Sequence, residues 1–325
     1  MSILQDFPFS SIDKAHEAIK PFIHRTPILS SSNIDKLCGC RIYFKCENFQ
    51  KVGAFKMRGA AHAVSQLKAS GFNGSVVTHS SGNHAQALAK AAKSLGIKAY
   101  IVMPETAPRV KVEAVKAYGG EITFCAPTLD ARESEMKKIQ AKTGATFVPP
   151  YDDRNVILGQ ATAAKELLEE KPELEAILAP VGGGGLLAGT ALTTKHLNNK
   201  IKAYGAEPEG ADDAYQSFKA GKLILQTKPN TLADGLLTSL GKLNFEVIKE
   251  LVDGIFLVND KEIIASMQLI WGHMKIIVEP SCAVPLAAVL KQKKRFEGKK
   301  IGVILSGGNV DLDDYFNTLK QKAKS

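Results

Sequence analysis

Nowhere does the chain approach the roughly 20 consecutive apolar residues that a membrane-crossing helix needs, which argues against an integral membrane protein. Its beginning, Met1-Ser2-Ile3-Leu4-Gln5-Asp6, lacks the basic-then-apolar order of a secretory leader, so a cytoplasmic location is expected. Cysteine is scarce. The five present (Cys38, Cys40, Cys46, Cys125, Cys282) are an odd count with no Cys-x-x-Cys pair and no His/Cys cluster at zinc spacing. That excludes a disulfide framework and a zinc finger, and predicts reduced, buried thiols. Aromatic residues are only 7% of the chain, and the densest basic group, Lys291 to Arg295, has none interleaved. The net charge of +9 is therefore read as a dispersed basic face that favours anionic small molecules, with no nucleic acid as partner. Repeats, low-complexity tracts and long linkers are also missing.

What remains is an apolar content of 45% over 325 residues, enough to bury one large domain or two intimate ones. From about residue 75, short apolar segments alternate with helix-patterned stretches. The expected strands are Ser75 to His79, Ala99 to Met103, Glu121 to Cys125, Ala145 to Val148, Ala176 to Val181, Ala203 to Glu207 and Ile301 to Leu305. This alternation predicts parallel sheets with crossover helices, the α/β class. After Gly82, Ala85, Leu88, Ala92 and Leu95 share one helical face while Lys90 and Lys93 point away. Gly96, Gly119 and Gly144 mark helix ends. Pro149-Pro150-Tyr151-Asp152-Asp153 interrupts the rhythm, as a crossing between two lobes would.

Chemistry concentrates in four segments. Lys56 stands among apolar and small residues in Gly53-Ala54-Phe55-Lys56-Met57-Arg58-Gly59-Ala60. Such company can desolvate the amine so that it attacks a carbonyl; the plainer reading is a surface lysine lying along a first helical turn. Gly182-Gly183-Gly184-Gly185 follows a strand and opens a helix, where bare N–H groups converge on an anion. It completes neither a Walker A ending nor a dinucleotide fingerprint, so a small phosphorylated cofactor is favoured over ATP or NAD. His79-Ser80-Ser81-Gly82-Asn83-His84 has the same placement with hydroxyls added, suited to a carboxylate or to helix capping. Leu305-Ser306-Gly307-Gly308-Asn309 again ends a strand. Together these are the parts needed to hold pyridoxal phosphate and an amino acid.

Ordered along the chain with Lys45-Cys46-Glu47-Asn48-Phe49-Gln50, these motifs resemble the fold type II pyridoxal-phosphate enzymes, which share a tryptophan synthase β-like fold. Within them the chain is similar to the serine racemase and serine/threonine dehydratase group. The resemblance runs from His24-Arg25-Thr26-Pro27 to Ser306-Gly307-Gly308-Asn309-Val310-Asp311. Cysteine synthases are excluded, because they carry Ser-x-Lys-Asp-Arg and Thr-Ser-Gly-Asn-Thr instead.

The resemblance implies two open, twisted, mostly parallel sheets flanked by helices, with the active site between a large and a small domain. Residues 1–66 and 153–325 would form the large domain, and 67–152 a small mobile domain bearing the Ser80–His84 loop. Lys56 would hold the cofactor as a Schiff base, with Phe55 and Asn83 at its ring. Gly182, Gly183, Gly184, Gly185 and Leu186 would bind its phosphate, and Ser306 would face the pyridine nitrogen. Lys56 and Ser81 would be the catalytic pair, working on opposite faces of the substrate. Ser80, Ser81, Gly82, Asn83, His84, Arg132 and Thr238 would bind it. His84 on its own reads better as a packing residue. The resemblance further implies a homodimer and a divalent site for Mg2+, Mn2+ or Ca2+ made by Glu207, Asp213 and the Ala211 carbonyl. Lys51, Lys275 and Asn309 match a nucleotide pattern. Trp271-Gly272-His273-Met274-Lys275, however, replaces the Trp-Glu-Arg-Met-Lys of animal racemases and leaves ATP activation open.

The activity implied is interconversion of L- and D-serine, with β-elimination of serine to pyruvate and ammonia. The alternative is a threonine/serine dehydratase or an L-threo-3-hydroxyaspartate ammonia-lyase without significant racemisation. A non-catalytic small-anion sensor would keep the glycines and have no need of Lys56.

Overall fold

Each short apolar strand is followed by a helix that carries the chain back to a parallel neighbour, and this repeated crossover builds two open sheets. The computed structural model describes residues 2–80, 82–107 and 109–313. In chain order the strands are β1 (Ile28–Leu29), β2 (Arg41–Cys46), β3 (Val76–His79), β4 (Ala99–Pro104), β5 (Glu121–Cys125), β6 (Thr146–Phe147), β7 (Ala176–Pro180), β8 (Lys202–Pro208), β9 (Gly254–Val258) and β10 (Lys300–Leu305). The larger sheet has the order β1-β2-β10-β7-β8-β9 and the smaller β5-β4-β3-β6. Every pairing is parallel except β1 on β2.

All seven expected strands form, and the sheets are mostly parallel as anticipated. Strands β1, β2 and β9 were not anticipated. β2 hides because Lys45 interrupts its apolar run, yet that lysine is fully buried. The smaller sheet lies between residues 76 and 147, while the Lys56–Ala69 helix crosses the expected boundary at 66/67. Gly144 ends the Leu129–Thr143 helix at φ +67°, a conformation that favours glycine. The five cysteines are free and buried. Among the described residues no helix is long and apolar enough to cross a membrane.

The strand order places the chemistry. β10 is flanked by β2 and β7, so Ser306 leaves the sheet beside the glycines that follow β7. β3, central in its own sheet, likewise delivers Ser80. In open parallel sheets ligands bind outside the carboxyl ends of the strands, and both sheets present those ends to one cavity.

Beneath it lies a buried ionic cluster that fixes the Lys56–Ala69 helix to β2 and to the Arg154–Glu170 helix. Arg58 donates from Nε to Glu47 Oε2 at 2.7 Å and from Nη1 to Glu166 Oε1 at 2.8 Å. Lys45 Nζ reaches Glu166 Oε2 at 2.6 Å, and His16 Nε2 lies 3.1 Å from Glu166 Oε1. Burial alone would raise the Glu166 carboxyl, but hydrogen bonds from His16 and Arg58 and the charge of Lys45 hold it well below its ordinary 4.5. Glu166→Ala leaves buried Lys45 without a carboxylate partner and takes from Arg58 one of its two, and is expected to cost about 3–5 kcal/mol, read by urea unfolding. A loss under about 1 kcal/mol would contradict this reading. Because the folded carboxyl is depressed, its contribution is present above about pH 4.5 and disappears as pH falls below it.

Candidate active site

The cavity between the two sheets has a volume of about 350 Å³. Lys56 is the first residue of its helix and its amine opens onto this space. Nζ donates to the Pro150 carbonyl at 2.6 Å and lies 5.2 Å from the Phe55 ring centre and 5.8 Å from that of Tyr151. Burial pushes the amine from 10.5 down to about 8, against the opposing charge of Glu279. A lysine so placed offers a free amine near neutral pH.

On the same cavity, Gly182–Gly185 form a bare cradle at the start of the Gly185–Leu197 helix. Glycine is required here by close approach. A Cβ on Gly183 would lie 2.3 Å from the Tyr151 ring, and one on Gly184, at φ +93°, 2.5 Å from Leu240. Asn244 Nδ2 holds the turn by donating to the Gly183 carbonyl at 2.7 Å and to that of Tyr151 at 3.2 Å. Asp152 accepts from the Lys242 and Leu243 amides at 3.0 Å each, anchoring the neighbouring helix. The result is a rigid set of backbone donors at a positive helix end, a fit for a phosphate.

The Ser80–His84 loop lies on the smaller sheet's side of the cavity. Ser80, Gly82, Asn83 and His84 line it; Ser81 lies outside the described residues. His84 is buried, with Nε2 3.2 Å from the Val148 carbonyl. Burial and the charge of Lys56 drive its ring down to about 3, so it stays neutral and packs rather than moving protons. Asn83 Nδ2 donates to Glu279 at 2.9 Å, and its Oδ1 accepts from Asn309 Nδ2 at 2.8 Å. Phe55, Leu186, Arg132, Thr238 and Ser306 all reach the lining. Ser306 is buried at the end of β10, and its carbonyl accepts from the Phe55 amide at 3.0 Å.

The two other groups of expected residues sit elsewhere. Glu207 accepts from the Ala214 and Tyr215 amides at 3.0 and 2.8 Å. Asp213 Oδ2 accepts from Leu240 at 2.7 Å, while its Oδ1 is buried without a partner among the described residues. Burial raises both carboxyls, Asp213 to about 6. An orphaned carboxylate oxygen beside a second buried carboxylate fits a hard divalent cation. Lys51 borders a second cavity with Lys90 and Tyr118, which neither Lys275 nor Asn309 lines. Asn309 instead ties Val52 and Asn83 together.

A buried lysine amine, a glycine cradle at a helix start and a strand-end serine around one cavity are what the cofactor of the resembled family requires. The profile of the family described as "Pyridoxal-phosphate dependent enzyme" matches residues 19–307. The chain belongs to this family. It is 52% identical over 305 residues to a serine racemase of Dictyostelium discoideum, covering 93% of this chain and 94% of that protein. It is also 52% identical over 299 residues to a beta-hydroxyaspartate dehydratase of Paracoccus denitrificans, covering 92% and 95%. Among solved structures, maize serine racemase superposes with a TM-score of 0.95 at 45% identity, covering 97% of both chains.

In this pyridoxal-phosphate dependent enzyme, several cavity residues escaped the sequence. Glu279 is 3% exposed and begins the Pro280–Lys291 helix; burial pushes its carboxyl up to about 7. Its signal was a lone acid within Ile276-Ile277-Val278-Glu279-Pro280. Lys111 pairs with Asp234 across the cavity, and His79 stacks on Phe147 beside Arg132. Tyr151 was seen only as part of a crossing.

The lowered Lys56 value has a direct kinetic consequence. With the cofactor removed, the rate at which Lys56 reacts with a small aldehyde should rise with pH up to about 8 and then level off. A rate still climbing above about pH 10, as for an ordinary lysine, would contradict the desolvated setting.

Proposed function

We propose that this chain is a pyridoxal-phosphate dependent serine racemase that also eliminates water from serine, giving pyruvate and ammonia. The observation that carries the reading is the Lys56 amine, lowered by burial, facing a cavity that has the glycine cradle at one end and the Ser80–His84 loop on another side. When bound, the cofactor supplies an electrophilic aldehyde and a sink for the electron pair left at the substrate's α-carbon. Lys56 Nζ holds the cofactor and then takes or returns the α-proton on one face. Ser81 Oγ does so on the other. The N–H groups of Gly182–Gly185 and Leu186 bind the phosphate, and those of the Ser80–His84 loop bind the substrate carboxylate. Phe55 and Asn83 would border the ring, with Glu279 holding the Asn83 amide in place. Ser306 would offer the ring nitrogen a hydroxyl, which supports a positive ring less than a carboxylate would. That weaker support suits brief proton exchange and elimination.

Arg132 and His79 favour a second substrate. Both line the cavity: Arg132 supplies a cation for a side-chain carboxylate, and His79, whose ring is held below its ordinary value by burial and by the Arg132 charge, supplies a neutral hydrogen-bonding edge beside it. L-threo-3-hydroxyaspartate is therefore proposed as an elimination substrate, in keeping with the dehydratase similarity. Turnover of L-serine, L-threonine and L-threo-3-hydroxyaspartate by the purified enzyme tests both readings. D-serine formation supports the racemase, and L-threonine far ahead of hydroxyaspartate would sink the dicarboxylate reading.

The reading includes a homodimer, a cytoplasmic location and a small mobile domain over residues 67–152. It also includes a Mg2+, Mn2+ or Ca2+ ion held by Glu207, Asp213 and the Ala211 carbonyl, which would neutralise two buried carboxylates. Saturating Mg2+ should raise the melting temperature of the wild type by several degrees, since a ligand at about 100 times its Kd adds about 2.7 kcal/mol. Glu207→Ala should abolish the rise; an intact rise would place the ion elsewhere. With Gly272-His273 replacing the Glu-Arg pair of animal racemases, we propose that turnover needs no ATP.

A further inference from the structure

Gln160 lies in the Arg154–Glu170 helix with 1% of its surface exposed, and neither Nε2 nor Oε1 has a hydrogen-bond partner among the described residues. A buried amide with all its capacity unmet carries a desolvation cost without return. Native structures rarely leave such a group alone unless a ligand completes it.

Its surroundings are set by three close helix contacts. A Cβ on Gly59 would lie 2.3 Å from Gln160 Nε2, and one on Gly159 would lie 2.6 Å from the Arg58 carbonyl. On the other side, a Cβ on Gly189 would lie 2.6 Å from the Ala161 amide. The Arg154–Glu170 helix therefore touches the first turn of the helix that begins with Lys56. It also touches the one that begins with Gly185, at Gly189 just past its first turn. Gln160 stands at the level of both and borders the same cavity as Lys56, Gly185 and Leu186. Two helix N-termini direct partial positive charge into this corner, so the partner it favours is an anion.

We propose that Gln160 is a further cofactor-binding residue, whose Nε2–H donates to the phosphate held by Gly182–Gly185. The inference rests on the reading of this cavity as the cofactor site.

Gln160→Met keeps the length of the side chain and removes the amide. Direct titration of the cofactor-free full chain with pyridoxal phosphate should show affinity weaker by about 10- to 100-fold, the worth of one hydrogen bond to a charged group. The cofactor-free variant should melt at or above the wild-type temperature, because the unpaired amide is gone. A purely structural glutamine gives the reverse pattern, a lower melting temperature with affinity within about threefold of wild type, and that result overturns the proposal. Gln160→Glu reads the same interaction without depending on the methionine variant folding. A carboxylate facing the phosphate should weaken binding further than Met does, and wild-type affinity there would also overturn the proposal. If the wild type binds no pyridoxal phosphate, the functional reading fails together with this one. If the wild type binds and Gln160→Met binds equally well, only the Gln160 assignment fails.

Discussion

Replacing Lys56 with alanine is expected to lower racemisation and elimination of serine together, by at least about 10³-fold, because one amine performs both the covalent capture of the cofactor and one proton transfer. The fold should survive, since the side chain opens onto the cavity and its removal frees only the Pro150 carbonyl, which borders that same cavity. Borohydride treatment followed by peptide mass analysis should fix pyridoxal phosphate to the Lys56 peptide in the wild type and to no peptide in the variant. A Lys56→Ala protein that retains both activities, or a label found on another lysine, would displace Lys56 from the centre of the account.

Ser81→Ala should split the two activities. Loss of one positioned acid/base group is expected to slow racemisation by about 10²- to 10⁴-fold, while elimination of L-serine, which uses the Lys56 face, falls by less than about tenfold. Ser81 is assigned its role from the Ser80-Ser81-Gly82-Asn83-His84 motif, whose other members line the cavity. Rates of D-serine and pyruvate formation from one L-serine incubation give both numbers. Equal loss of the two would refute the two-face assignment and leave Ser81 as a carboxylate-binding residue.

The segments that carry these two residues stand out in the sequence because their signals are local, while the pairing of Lys56 with Ser81 is what the family resemblance implies. Lys56 has apolar neighbours, and the Gly182–Gly185 and Ser80–His84 loops each sit between an apolar strand and a helical pattern. The seven anticipated strands share that quality, since a short apolar run bounded by turn residues needs no distant partner to be recognised. What stayed hidden depends on long-range pairing. Lys45 makes β2 look polar until Glu166, 121 residues away, is brought against it. Glu279 meets Asn83 across a separation of 196 residues. Arg58 resembles a surface arginine, yet it is fully buried between Glu47 and Glu166. Gln160 has no local signature, because what distinguishes it is the absence of a partner after three helices have packed around it. The resemblance to a known family supplied the roles of Ser306, Glu207 and Asp213.

Chiral analysis of the products from L-serine, with the purified wild-type enzyme and pyridoxal phosphate, tests the central claim most directly. The account predicts D-serine and pyruvate from the same incubation, both absent with Lys56→Ala. Pyruvate without D-serine would reduce the protein to a dehydratase, and neither product from the wild type would contradict the assignment of this cavity as a serine-converting site.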